Sequence, residues 1–155
     1  MQLRVRHLAR HVALPVVALA LLAAAFPGGA LAQNTAQDLY NNGREMLQQN
    51  NFQGAVDAFS RAIAMDPSLA AAYVGRATAY VYENNTQAAL QDYNQALQMQ
   101  PDQPEALYNR GVLLAQTGDS QGAIRDLQRA AELFRDRGDQ ATADLVANAI
   151  QALQE

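Results

Sequence analysis

The chain has 155 residues, half of them apolar, with fifteen Asp and Glu against eleven basic residues, all of them Arg, and no Cys. That length suits one domain with a core of its own. The missing cysteines exclude disulfide stapling and thiolate metal sites, and the acidic balance argues against a nucleic-acid or anionic-membrane surface.

At the N-terminus, Arg4, Arg6 and Arg10 precede an apolar stretch from Val12 to Phe26, then Pro27, Gly28, Gly29 and the small-x-small sequence Ala30, Leu31, Ala32. This is the order of a secretory signal, with the cut expected between Ala32 and Gln33. The rival reading is a retained anchor. Against it, the apolar stretch is shorter than the roughly 20 residues of a bilayer span and contains Pro15. The lack of Cys near the cut excludes a lipoprotein anchor, and the lack of an Arg pair favours the general export route. The expectation is a periplasmic or secreted protein, or a thylakoid-lumen one in a photosynthetic source, meeting a membrane only if the segment is kept.

Without residues 1–32 the chain keeps eight arginines and fifteen carboxylates, a net charge of about −7. His7 and His11 leave with the signal, so imidazole bases, Cys-His pairs and zinc or iron sites are all removed from residues 33–155. Low aromatic content and few β-branched runs favour helix over strand.

From residue 36 onward the sequence repeats with a period of 34. Gly43, Ala77 and Gly111 share that spacing, as do Ala55, Ala89 and Ala123; Phe59, Tyr93 and Leu127; and Ala62, Ala96 and Ala130, with Pro67 and Pro101 closing the first two units. Within each unit apolar residues recur at spacings of three and four on either side of a polar break, which predicts two helices. The breaks are Asn50 with Asn51, Asn84 with Asn85, and Gly118 with Asp119, residues that end one helix and cap the next. The sequon Asn84, Asn85, Thr86 falls on such a turn and is read structurally. Pro67 and Pro101 stop the second helices, and Pro104 suits a first helical turn. The third unit carries Arg135 at the proline position, and its last helix is expected to run to Gly138. Beyond it, Ala141, Leu145, Val146, Ala149, Ile150 and Leu153 are expected on one face of a final helix, opposite Gln140, Asp144, Asn148 and Gln151. Such a helix would cover the end of the stack.

These columns resemble the tetratricopeptide repeat, whose pattern runs W-x2-L-G-x2-Y, then A-x3-F, then P. Gly43/Ala77/Gly111, Met46/Tyr80/Leu114, Ala55/Ala89/Ala123, Phe59/Tyr93/Leu127, Ala62/Ala96/Ala130 and Pro67/Pro101 fall on the family's fixed positions. The tryptophan column holds Leu39, Tyr73 and Leu107 instead, and the leucine column Asn42, Arg76 and Arg110. The resemblance implies an all-α, right-handed α-solenoid of three helix-turn-helix units (36–69, 70–103, 104–137), preceded by a short tail (33–35) and followed by a capping helix (138–155).

The resemblance also implies a concave groove lined by the first helix of each unit. Its positions are Tyr40, Asn41, Arg44 and Gln48; Val74, Gly75, Thr78 and Tyr82; and Glu105, Tyr108, Asn109, Val112 and Gln116. In the chaperone-binding branch of the family a Lys, Asn and Arg clamp grips a terminal carboxylate. The matching positions here are Tyr40, Arg44, Gly75, Glu105 and Asn109, so that clamp is missing. Tyrosines suit an interface because they join contact area to a polar tip, with partial burial between helices as the plainer alternative. Arg76 and Arg110 are read as structural, reaching backbone carbonyls or neighbouring acids. Asp57 with Arg61, and Glu132 with Arg135 and Asp136, are read as solvated pairs.

No Gly-rich phosphate loop occurs, and nothing places two carboxylates together as a glycosidase pair. No enzyme activity and no cofactor are expected. The expectation is a scaffold binding another polypeptide in the groove. The alternative is a structural subunit of a membrane-associated assembly, held by a retained N-terminal segment.

Overall fold

The computed structural model describes residues Thr35 to Gln154; the expected signal and its cleavage point lie outside the described residues. The described residues form seven helices and no strand: α1 (Ala36–Gln48), α2 (Phe52–Met65), α3 (Ala70–Tyr82), α4 (Thr86–Met99), α5 (Pro104–Gln116), α6 (Ser120–Asp136) and α7 (Gln140–Ala152). Helices α1 and α2, α3 and α4, and α5 and α6 pack as hairpins, α2 and α4 lean on the next hairpin, and α7 lies on α6. The fold is an all-helical solenoid.

One turn chemistry builds every hairpin. Asn50, Asn84, Gly118 and Gly138 take positive φ values of 58°, 59°, 91° and 81°, which short amides and glycine tolerate best. In each case the next residue closes the motif: the amides of Asn51, Asn85, Asp119 and Asp139 donate back to the carbonyls of Met46, Tyr80, Leu114 and Phe134 at 2.8–2.9 Å. Those four bonds satisfy carbonyls that a helix end leaves open. The same four residues then cap the following helix, their side chains accepting from the amides of Gly54, Ala88, Gly122 and Thr142. A left-handed residue followed by a capping residue therefore joins each pair of helices with no spare length. Between repeats, α2 and α4 stop before Pro67 and Pro101, and Pro104 opens α5 at its first turn.

The repeat columns are the core. Ala55, Ala89, Ala123, Ala62, Ala96 and Ala130 are fully buried, and Phe59, Tyr93 and Leu127 are at most 1% exposed. Alanine permits close helix approach, and the larger column fills the seam between units. Phe59 is the tightest case. A Cβ added at Gly43 would lie 2.7 Å from its ring, and one added at Gly75 would lie 2.5 Å from it. The ring is seated between two helices that can receive it only because both carry glycine there.

Arg76 and Arg110 are polar clips repeated with the same period. Arg76 on α3 donates from Nε and Nη2 to both carboxylate oxygens of Asp92 on α4, at 2.7 and 2.8 Å, and from Nη1 to Ser60 on α2 at 3.0 Å. Arg110 does the same to Asp126 on α6, at 2.6 and 2.8 Å, and to Asn94 on α4 at 2.7 Å. Each guanidinium thus locks its own hairpin through a bidentate, charge-assisted contact and reaches the preceding repeat through one further hydrogen bond, to Ser60 or Asn94. Asp92 holds the Arg76 guanidinium above its ordinary pKa. The first unit has Asn42 and Ala58 at these positions and carries no clip.

Three expectations are corrected, the first being Asp57 with Arg61, which make no ion pair among the described residues. Glu132 pairs with Arg129, at 3.1 Å, rather than with Arg135, because Arg129 is drawn back toward Asp102 at the foot of the preceding repeat, 2.7 Å away. On α7 the seam is Ala143 and Val146, fully buried, with Ile150 and Leu153 packed beside them, whereas Leu145 is 69% exposed and Ala141 is exposed. With α6 as its one main neighbour, α7 buries a narrow stripe, and small Ala143 enters it where bulkier Leu145 does not.

Candidate functional site

Helices α1, α3 and α5 bring together most of the expected groove residues. Tyr40, Val74, Gly75, Thr78, Asn109 and Val112 are half-buried, while Asn41, Arg44, Gln48, Tyr82, Glu105, Tyr108 and Gln116 are exposed. They divide into two clefts and a remainder.

The first cleft, about 330 Å³, is lined by Tyr40, Arg44 and Leu47 of α1, Ala71, Val74 and Gly75 of α3, and Gln103 and Glu105 at the start of α5, with Phe59 behind them. Tyr40 leans on the Phe59 ring with centroids 5.8 Å apart. The Arg44 guanidinium lies 5.9 Å over the Tyr40 ring, a cation–π placement, and among the described residues it makes no ion pair. Glu105 differs: Arg137 at the end of α6 donates to it at 2.8 Å. The carboxylate of this cleft is thus already matched, and its cation is not.

The second cleft, about 140 Å³, lies between α3 and α5. Thr78, Val81 and Tyr82 form one side and Tyr108, Asn109, Val112, Leu113 and Gln116 the other, with Tyr93 beneath. Tyr82 is 60% exposed and stacks on Phe52 with centroids 4.5 Å apart, and Tyr108 is 38% exposed. The floor is polar but satisfied. Thr78 donates to the Val74 carbonyl at 2.9 Å, so the Tyr93 hydroxyl, 3.2 Å away, donates to Thr78. Asn109 also bonds that hydroxyl, and burial raises the Tyr93 pKa above its ordinary value. Among the described residues no buried side-chain polar atom lacks a partner, so the cleft offers shape and apolar walls, with no open hydrogen-bonding group in its floor.

Asn41 and Gln48 fall outside both clefts, on a separate shallow surface of α1 with Arg44 and Glu45, and Asn41 accepts from Gln37 at 3.2 Å. Tyr93 and Phe59, read from the sequence as packing residues, form the floor or backing of the two clefts. The signal for Tyr93 was a hydroxyl in a column otherwise filled by Phe59 and Leu127, since a buried phenol needs a partner. Among the described residues there is no cluster of His, Cys, Asp or Glu that could hold a metal ion, and no helix is long and apolar enough to cross a membrane.

Two family models, each described as tetratricopeptide repeat, match residues 40–80 and 76–151. No curated protein matches the chain significantly. Among solved structures, PcrH in complex with the chaperone binding region of PopD is 21% identical over 81% of this chain and 95% of that one, with a TM-score of 0.73. The type III secretion translocator chaperone SycD of Yersinia enterocolitica is 17% identical over 81% and 96%, with a TM-score of 0.72. The first such repeat domain of Spaghetti (RPAP3), bound to the HSP90 peptide SRMEEVD, is 21% identical over 77% and 90%, with a TM-score of 0.69. At these identities the likeness establishes the solenoid and no more. Registered columns, glycine-seated seams and family models that together span residues 40–151 agree on one conclusion: the chain belongs to the tetratricopeptide repeat family.

Proposed function

We propose that this chain is a non-enzymatic interaction scaffold that holds a segment of another polypeptide along the face formed by α1, α3 and α5. The observation that carries this is the pair of clefts, which bring together Tyr40, Arg44, Val74, Gly75 and Glu105 in one and Thr78, Tyr82, Tyr108, Asn109, Val112 and Gln116 in the other. In the second cleft, an exposed aromatic rim over a satisfied floor favours an apolar polypeptide side chain, because a small polar ligand would need groups that this floor no longer has free. Two of the similar structures were solved with a peptide or partner segment bound, which supports the same use of the fold. The terminal-carboxylate clamp is absent, so the expected ligand is an internal segment.

The N-terminal segment fits an export signal cut before Gln33, which would place the scaffold in the periplasm or outside the cell. Mass spectrometry of the native N-terminus tests this: a chain beginning at Gln33 supports export, and an intact segment supports the anchored-subunit alternative. Affinity capture from the native envelope extract tests the groove. Tyr108→Ala and Arg44→Ala should each weaken capture of the partner while leaving helical circular dichroism unchanged, and equal capture by both variants would move the interaction to another surface.

A further inference from the structure

We infer that the groove reads a two-point pattern in its partner: one apolar side chain seated between Tyr82 and Tyr108, and one acidic side chain on Arg44, about three residues apart in an extended segment. This rests on the groove reading above and adds the chemistry of the ligand.

The apolar point follows from the second cleft. Its volume, about 140 Å³, is close to the roughly 150 Å³ of an apolar cavity that accepts a benzene ring, so it suits one large aliphatic or aromatic side chain. It has no ionised wall, and its floor hydroxyls are spent on each other and on the Val74 carbonyl. A charged side chain entering it would lose water and meet only neutral amides and hydroxyls, with no opposite charge.

The acidic point follows from charge in the first cleft. Arg44 is exposed, is held over the Tyr40 ring and has no carboxylate partner among the described residues. Of the acids near Arg44, Glu105 shares its cleft and is matched by Arg137, while Glu45 lies outside that cleft on the neighbouring surface. Half-buried Tyr40 and Val74 supply apolar surface beside Arg44 in that cleft. That arrangement favours an acid whose stem lies on apolar surface and whose carboxylate reaches the guanidinium.

The spacing follows from α3, which lines both clefts. Ala71, Val74 and Gly75 face the first and Thr78, Val81 and Tyr82 the second. Arg44 stands on α1 one period before Thr78, and α1 packs on α3, so the offset from Arg44 to the α3 wall of the second cleft is one helix spacing, about 8–10 Å. An extended partner covers that in about three residues at roughly 3.3 Å each.

The test uses the full chain on two arrays of end-blocked dodecapeptides. One has a Gly-Ser background with one Leu and one Glu at every separation and in both orders; the other has unbiased sequences. The expected result is strongest binding at a separation of about three in one of the two orders. Binding should be lost on replacing Leu by Ser and fall about three- to fivefold on replacing Glu by Gln. Arg44→Glu should shift the preference from Glu to Lys, Tyr108→Glu should abolish dependence on Leu, and Tyr108→Phe, which keeps the ring, should retain it. Both positions are exposed, and unchanged helical circular dichroism confirms folded variants. Binders that respond to Tyr108→Glu or Arg44→Glu but are indifferent to the acid or to the spacing overturn the two-point pattern and leave the groove reading standing. Binders indifferent to both variants, or no binder on either array, overturn both.

Discussion

Removing the Asp92 carboxylate tests how far the arginine clip stabilises its hairpin. In Asp92→Ala the Arg76 guanidinium loses two charge-assisted bonds and keeps its single bond to Ser60. An exposed pair would contribute about 0.2–1 kcal/mol, and losing one partner of a fully buried pair costs about 3–5 kcal/mol. The side chains of Arg76 and Asp92 are 20% and 9% exposed, so water can partly reach the orphaned cation and the cost should fall between these limits, near 2 kcal/mol. For a domain of this size that is a drop in Tm of about 8 °C. Urea and thermal unfolding followed by circular dichroism would measure it, with exposed Asp57→Ala as control. A double-mutant cycle with Arg76→Met isolates the pair, and the expected coupling is again about 2 kcal/mol. A loss no larger than that of Asp57→Ala, or a coupling near zero, would refute the clip as a source of stability. The consequence reaches the groove, because the same guanidiniums bond Ser60 and Asn94 of the preceding repeat, and the Arg110–Asn94 bond ties α5 to the α3–α4 hairpin.

Phe59→Ala should cost about 3–5 kcal/mol in urea unfolding, since the ring is fully buried and the facing Gly43 and Gly75 have no side chains to collapse into the space. At Asn84, whose φ is 59°, substitution by Gly should leave the melting temperature nearly unchanged, while Ala should destabilise by about 1 kcal/mol. Asp38, Asp66 and Asp139 accept hydrogen bonds from Thr35, Ser68 and Thr142 that hold their carboxyl pKa values below the ordinary 3.8. A lowered folded pKa gives stability that is present above the unfolded value and lost as pH falls through the folded one, so denaturant midpoints should decline below about pH 4. Tyr93 has the opposite sign: burial raises its pKa above 10.0, so its contribution is intact below pH 10 and is lost as pH rises through the folded value. Tyr93→Phe should remove that alkaline component, read by titrating stability between about pH 9 and 11.

Much of this architecture was legible because a solenoid writes its geometry into periodic columns. The Ala55, Ala62 and Phe59 columns named the core, and the Asn-Asn and Gly-Asp breaks named turns whose left-handed first residue and capping second residue recur in all three hairpins. The groove helices followed from the same register, and eleven of the thirteen groove residues line the two clefts, with Asn41 and Gln48 outside them. The partners of Arg76 and Arg110 were less legible, because each clip joins residues 16 apart on different helices. The signal was nevertheless present: Asp92 and Asp126, and Ser60 and Asn94, share the period of the two arginines. Leu145 misled because hydrophobicity ranks it above Ala143, whereas the narrow seam on α6 selects by size and angle. The division into two clefts had no sequence signature, since it depends on how side chains from three separate helices meet.

The most direct test of the central claim is site-specific photo-crosslinking in the native compartment, with benzoylphenylalanine placed at Tyr108 or Arg44 and, separately, at exposed Gln91 or Gln128 on α4 and α6. The groove account predicts a polypeptide adduct from Tyr108 and Arg44 and none from Gln91 or Gln128. Adducts confined to α4 and α6 would contradict it.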